Sequence, residues 1–322
     1  MIEKAMSNVE GQMTIEMHKN TESQAPNSKQ TPIDRILKSK QRHFGRFAGF
    51  RYVGLWPSAC FLVILLVLQL NVGCQRAKAG ITVAGSTSVE PFAELLAEEF
   101  RFQHPDSHIY VQGGGSTAGI EAVRSHAANI GMSSRTLLPS EKDLYAVTIA
   151  KDAIAIIVNP RNPVEDLPLE QIRRVFSGKI KDWSELGGPH HQIVLVNREE
   201  GSGTRESFQK FLMGKEEISL DSIVQDSNGA IRQVVSSDPY AVGYISLGLV
   251  NAEVRALRIS GIEPSLPNIE NGKYTLVRPF LFVFDGEPKG EARSFLEFVL
   301  NQAGQRLLAQ EGLVTVRKSS GP

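Results

Sequence analysis

Apolar and polar residues repeat along this chain with two periods that take turns. "ITVAGS" (Ile81 to Ser86) is a short β-rich run ending in glycine and hydroxyls, and the segment after it sets Phe92, Leu95, Leu96 and Phe100 at helical spacing. "SHIYVQGGGSTAGIEAVRS" (Ser107 to Ser125) and "QIVLVNREEGSGTRESFQKFLM" (Gln192 to Met213) repeat the same order of strand, small-residue turn and helix. "AVTIAKDAIAIIVNP" (Ala146 to Pro160) predicts two strands, and "PLEQIRRVFSGKIKDWSEL" (Pro168 to Leu186) a helix. "NGAIRQVVSSDP" from Asn228 predicts a helix, "AVGYISLG" from Ala241 a strand, and "YTLVRPFLFVFDGEP" from Tyr274 a strand pair. "GEARSFLEFVLNQAGQRLLAQEGLV" from Gly290 predicts one amphipathic helix. Strands alternating with helices predict α/β architecture, with mostly parallel sheets flanked by helices.

The pattern changes before residue 80. Residues 1–51 are polar and then basic, without periodicity, and predict an unstructured extension. "VGLWPSACFLVILLVLQLNVGC" (Val53 to Cys74) follows a basic flank and carries no charge. Residues 52–74 therefore predict an export signal or a membrane anchor, with the remainder outside the cytoplasmic membrane. Its end, Leu70-Asn71-Val72-Gly73-Cys74, resembles a bacterial lipoprotein box, which would make Cys74 the lipidated residue; the other reading is an uncleaved anchor.

Length and charge narrow the classes. The chain has 322 residues, enough for two lobes. Its formal net charge is zero, but residues 1–74 hold nine basic and five acidic residues, leaving 26 basic and 30 acidic in the rest. A folded part of net charge −4 argues against nucleic acid as a partner. Both cysteines, Cys60 and Cys74, precede residue 80, so no disulfide or cysteine metal site is expected in the folded part.

Candidate chemistry lies at the turns. "AGSTS" (Ala84 to Ser88), "GGGSTAG" (Gly113 to Gly119) and "EGSGT" (Glu200 to Thr204) each follow a predicted strand. Glycines let the backbone approach closely, and hydroxyls and helix-start N–H groups supply donors. Three such turns facing one point would hold an anion, with Arg198 as the charge partner, Glu199 or Glu200 steadying its guanidinium, and Arg135 as a second candidate. Enzyme readings find less support: no G-x-S-x-G or G-x-x-x-x-G-K-[ST] spacing occurs, and His190 and His191 lack partners at metal-ligand spacing. No catalytic residue, metal or cofactor is expected.

"GSTSVEPF", "GGGSTAGI", "NIGMSSR", "REEGSGTRESF" and "AVGYISLG", in this order over residues 80–316, resemble the periplasmic phosphate-binding proteins of phosphate ABC transporters. The resemblance implies a two-lobed type II periplasmic-binding-protein fold with a two-strand hinge in "AIAIIVNP" and "RPFLFVFD". Residues 80–156 plus 279–322 would form the first lobe and 157–278 the second. It also implies phosphate in the cleft, held by Thr87, Ser88, Ser116, Ser134 and Arg135 from one side and Arg198, Ser202, Gly203 and Thr204 from the other. A monomer would deliver the ion to ABC permease subunits, tethered to the membrane by its N-terminus. Well-known members carry Asp where Ser134 stands; its carboxylate accepts the proton of hydrogen phosphate and repels sulfate. Ser134 brings no such repulsion, so sulfate and arsenate stay open. A phosphate or oxyanion sensor signalling to a membrane partner is the alternative function, and a phosphatase-like hydrolase a third.

Overall fold

The computed structural model describes residues 80–316, which lie within one compact unit, Cys74–Pro322. The expected extension, signal or anchor segment and Cys74 lie outside the described residues. Among the described residues no helix is long and apolar enough to cross a membrane.

Strands β1 (Ile81–Gly85), β2 (Ile109–Gly113) and β3 (Ile130–Ser133) are parallel, in the order β2-β1-β3. Two helices follow the first two strands. In α1 (Glu90–Gln103) the residues Phe92, Ala93, Leu96, Ala97 and Phe100 fall on one buried stripe. Helix α2 (Ser116–Arg124) packs against the β1 backbone. A Cβ at Gly119 would lie 2.5 Å from Ala84 O, so only glycine permits that approach.

Strand β4 (Tyr145–Val158) is continuous over 14 residues, where the pattern predicts two strands. The short β5 (Asp166–Leu167) precedes α3 (Leu169–Phe176). Then come β6 (Val194–Arg198), α4 (Gly203–Phe208), β7 (Ile223–Gln225), α5 (Asn228–Ser237) and β8 (Ala241–Ser246). The short β9 (Arg255–Ala256) pairs with β4, and β10 (Arg258–Ile259) with β5. After α6 (Leu266–Glu270), β11 (Val277–Phe284) returns as one strand antiparallel to both β3 and β4. Helices α7 (Gly290–Leu300) and α8 (Gln302–Gln310) and strand β12 (Val314–Thr315) complete the chain.

Two expected helices are broken. The C-terminal one divides at Asn301, whose Oδ1 accepts from the N–H groups of Ala303 and Gly304 and so starts α8. The one from Pro168 stops at Phe176. Gly178 takes φ +74° just beyond, and Trp183–Leu186 is a separate 3-10 turn capped by Asp182.

The sheet runs β2-β1-β3-β11-β4-β8-β6-β7 and divides along β4. Tyr145 to Ala153 pair with β11, whereas Ile154 to Val158 pair with β8. The strand therefore changes sheets between Ala153 and Ile154, a few residues before the expected lobe boundary. Pairs β6-β7 and β6-β8 are parallel, and antiparallel pairing enters both sheets through β4 and β11. Each lobe has its own apolar core. Phe92, Leu96, Phe100, Phe280, Phe282 and Phe295 lead the first. Phe176, Trp183, Phe208, Leu212 and Tyr244 lead the second, so the aromatic side chains of Trp183 and Tyr244 are core residues.

Candidate oxyanion site

The three glycine and hydroxyl turns close on one another across the lobes. They sit at the carboxyl ends of β1, β2 and β6, where an open α/β sheet presents its loops. Ser88 Oγ lies 2.8 Å from Thr204 Oγ1, and Thr117 N–H donates to Gly201 O at 3.2 Å. Ser116 Oγ accepts from Ser134 N–H at 3.0 Å. Gly203 presses so near both serines that a Cβ there would stand 2.2 Å from Ser116 Oγ and 2.7 Å from Ser134 Oγ. Ser88, Ser116, Ser134 and Thr204 are all buried.

Arg198, at the end of β6, is 1% exposed. Its Nε and Nη2 donate to the two carboxylate oxygens of Glu199, each at 2.9 Å; Glu200 is exposed. Nη2 also donates to Thr87 Oγ1 and to Asp226 O, both at 2.9 Å. Nη1 is buried with no hydrogen-bond partner. An orphaned guanidinium N–H is costly in a dry interior, so its natural complement is an anionic acceptor. The backbone beneath is held by Asn197, whose Oδ1 accepts from Arg198 N–H at 2.8 Å and from the Tyr244 hydroxyl. Burial pushes the Tyr244 phenol well up, which keeps it a neutral donor.

A second guanidinium stands close by. Arg278 of β11 donates through Nε and Nη2 to Asp152 Oδ2, at 3.0 and 2.9 Å, and through Nη1 to Thr204 Oγ1 at 2.7 Å. Asp152 of β4 accepts from Ser246 Oγ at 2.8 Å on its other oxygen. The pair is fully buried where the strands pass between lobes. Burial depresses the Arg278 guanidinium pKa against the pull of Asp152, and the charge of Arg198 adds to the depression. Asn228, at the start of α5, donates to Ser88 Oγ at 2.9 Å and accepts from Ser246 N–H at 3.1 Å.

Of the predicted site residues, the structure gathers Thr87, Ser88, Ser116, Ser134, Arg198, Gly203 and Thr204. Ser202 adjoins them, but its hydroxyl caps its own helix by accepting from Arg205 N–H at 3.4 Å. Arg135 is held by carboxylates from both lobes. Its guanidinium is held by Glu141 at 2.7 and 2.9 Å, by Glu206 of the other lobe at 2.7 Å, and by Thr117 Oγ1 at 3.3 Å. Arg135 thus bridges the lobes as a latch through two carboxylates, while its buried Nε, like Arg198 Nη1, has no partner in hydrogen-bond geometry. Desolvation raises the Glu141 carboxyl, but hydrogen bonds from Arg135 and Leu138 N–H bring it net below its usual value of 4.5. The stability it adds is therefore complete above that pH and lost as pH falls through the folded value. Outside the latch runs a groove of about 560 Å³ lined by Leu138, Glu200, Arg205, Lys210 and Phe211, which the buried hydroxyls do not line.

Arg278, Asp152 and Asn228 escape the motif reading. An Arg in the apolar β11 and an Asp in β4, beside the exposed Lys151, are the signal, because buried opposite charges imply each other. Among the described residues no group of three or more His, Cys, Asp or Glu is arranged to hold a metal.

This two-lobed geometry has close counterparts. Residues 22–303 match the PBP superfamily domain. The phosphate-binding protein PstS of Bacillus subtilis (strain 168) is 31% identical over 251 residues, covering 76% of this chain and 83% of that protein. The chain belongs to the PstS-like phosphate-binding proteins of the PBP superfamily. Its PstS relative in Borreliella burgdorferi is 25% identical over 272 residues, covering 80% of this chain and 98% of that one. A substrate-binding protein from Clostridium perfringens, solved with bound phosphate, is 41% identical with a TM-score of 0.72, over 74% of this chain and all of that chain. An ABC-type phosphate transport receptor from Vibrio cholerae is 36% identical with a TM-score of 0.62, over 73% of this chain and all of that one. Both solved chains are covered over their full length.

Proposed function

We propose that this chain binds inorganic phosphate between its lobes, outside the cytoplasmic membrane, and delivers it to an ABC-type permease. The orphaned Arg198 Nη1, buried beside hydroxyls from three converging turns, carries the reading. The hydroxyls are held as donors. Thr87 accepts from Arg198, Ser116 from Ser134 N–H, Ser88 from Asn228 and Thr204 from Arg278, so each has acceptor capacity filled by an N–H. A serine nucleophile needs a base to take its proton, whereas these hydroxyls have N–H donors for partners, which favours binding over hydrolysis. The ligand set is Thr87, Ser88, Ser116, Ser134, Arg198, Gly203 and Thr204. With contacts from both lobes, phosphate favours the closed arrangement, the form a permease can distinguish. The uncharged segment ending at Cys74 supports a membrane tether.

Calorimetric titration of the purified chain with phosphate, sulfate, arsenate and molybdate tests this. One phosphate per chain is expected, and no saturable heat with any of the four would overturn it. Ser134→Asp is expected to lower sulfate affinity relative to phosphate by at least about tenfold, through charge repulsion against an ion that has no proton to share. An unchanged ratio would remove Ser134 from the ligand shell. Glu206→Gln breaks the Arg135 latch on its half-exposed side and is expected to weaken phosphate binding by about threefold, ~0.7 kcal/mol. The check is that the unfolding midpoint without phosphate stays put.

A further inference from the structure

Ser88 Oγ and Thr204 Oγ1 stand 2.8 Å apart, and each already accepts a hydrogen bond from a nitrogen. The Asn228 amide is oriented by the Ser246 N–H that its Oδ1 accepts, so its nitrogen faces Ser88. Arg278 Nη1 can only donate to Thr204. Asp152 and Ser246 complete a ring: Arg278 bonds Asp152, Asp152 bonds Ser246, Ser246 bonds Asn228, Asn228 bonds Ser88, and Ser88 meets Thr204. Of these six residues Ser88 and Asp152 precede the strand crossing between Ala153 and Ile154, and the ring therefore joins the two sides. Each hydroxyl carries one proton, and their mutual contact uses one of the two.

We propose that Ser88 and Thr204 act together as a single hydrogen-bond donor to the bound oxyanion, with Asn228 and Arg278 as positioning residues that keep the second proton pointed outward. The proposal rests on the cleft reading above. It has a consequence that independent ligand contacts lack. Removing either hydroxyl releases the other's proton from the mutual bond, while the N–H on its acceptor side stays in place. One donor remains in each single variant, and none in the double.

Phosphate affinity of the full chain in detergent, measured by calorimetry for Ser88→Ala, Thr204→Val and the double variant, tests the sharing. Each single change is expected to weaken binding by no more than about threefold and the double by at least about fiftyfold, the range of one hydrogen bond to a charged group. A double loss equal to the product of the single losses overturns the proposal, as does a single change that loses as much as the pair. Unchanged affinity in all three overturns instead the cleft reading.

Thr204→Val leaves Arg278 Nη1 without its partner, so a second pair of variants avoids that position. Asn228→Asp turns the donor into an acceptor, drawing the Ser88 proton to the carboxylate and the Thr204 proton to Ser88. Binding is expected to weaken by at least about tenfold, and adding Ser88→Ala to restore most of it by freeing the Thr204 proton. Charge repulsion alone would persist in the double variant, so absence of rescue overturns the proposal.

Discussion

Gly203→Ala is expected to weaken phosphate binding at least about hundredfold while moving the unfolding midpoint of the empty protein by no more than about 2 °C. The added methyl would stand 2.2 Å from Ser116 Oγ, 2.7 Å from Ser134 Oγ and 2.9 Å from Ser116 Cβ. Rotating a serine hydroxyl removes the first two contacts but not the third, because Cβ is fixed by the backbone. The lobes would then stay apart by about an ångström, and a ligand that needs donors from both sides loses one set. The clash exists only where the lobes meet, so the fold of each should be untouched. Calorimetry with phosphate and a thermal melt without it read the two effects separately. A binding loss matched by an equal loss of stability would show that Gly203 serves the second lobe alone.

Arg198→Ala is expected to weaken phosphate binding by at least about thirtyfold, ~2 kcal/mol. The variant removes the orphaned Nη1 and also the partner of Glu199, leaving an uncompensated carboxylate beside the anion. Arg198→Lys keeps the charge but not the fork, and should fall between parent and alanine. Charges elsewhere do not substitute, since a charge beyond about 8 Å is largely screened at physiological salt. Parental affinity in Arg198→Ala would count against the site.

The hydroxyl corners were legible because glycine, serine and threonine at strand ends have few other uses when they recur three times, and Arg198 sits at fixed distance from one of them. The ion pairs of Arg135 are not legible in the sequence, because composition cannot say which carboxylates a guanidinium meets. Its carboxylates come from Glu141 and Glu206, and only the fold brings the second within reach. The segment from Ala146 to Pro160 reads as two strands, yet β4 runs through it unbroken, and Arg278 satisfies the carboxylate of Asp152 buried within it. The ladder between β4 and β11 pairs Asp152 with Arg278 directly, a relation between distant segments that no local pattern contains. Asn301 illustrates the opposite limit: the apolar stripe runs on past it, but a side-chain oxygen captures two N–H groups and ends one helix to begin another.

Strand β4 threads both sheets without interruption, and its change of partners falls between Ala153 and Ile154. Among the described residues the two halves are therefore joined through a continuous hydrogen-bonded ribbon, and any parting of them is expected to be a torsion spread along it, small at the axis and amplified toward the rim.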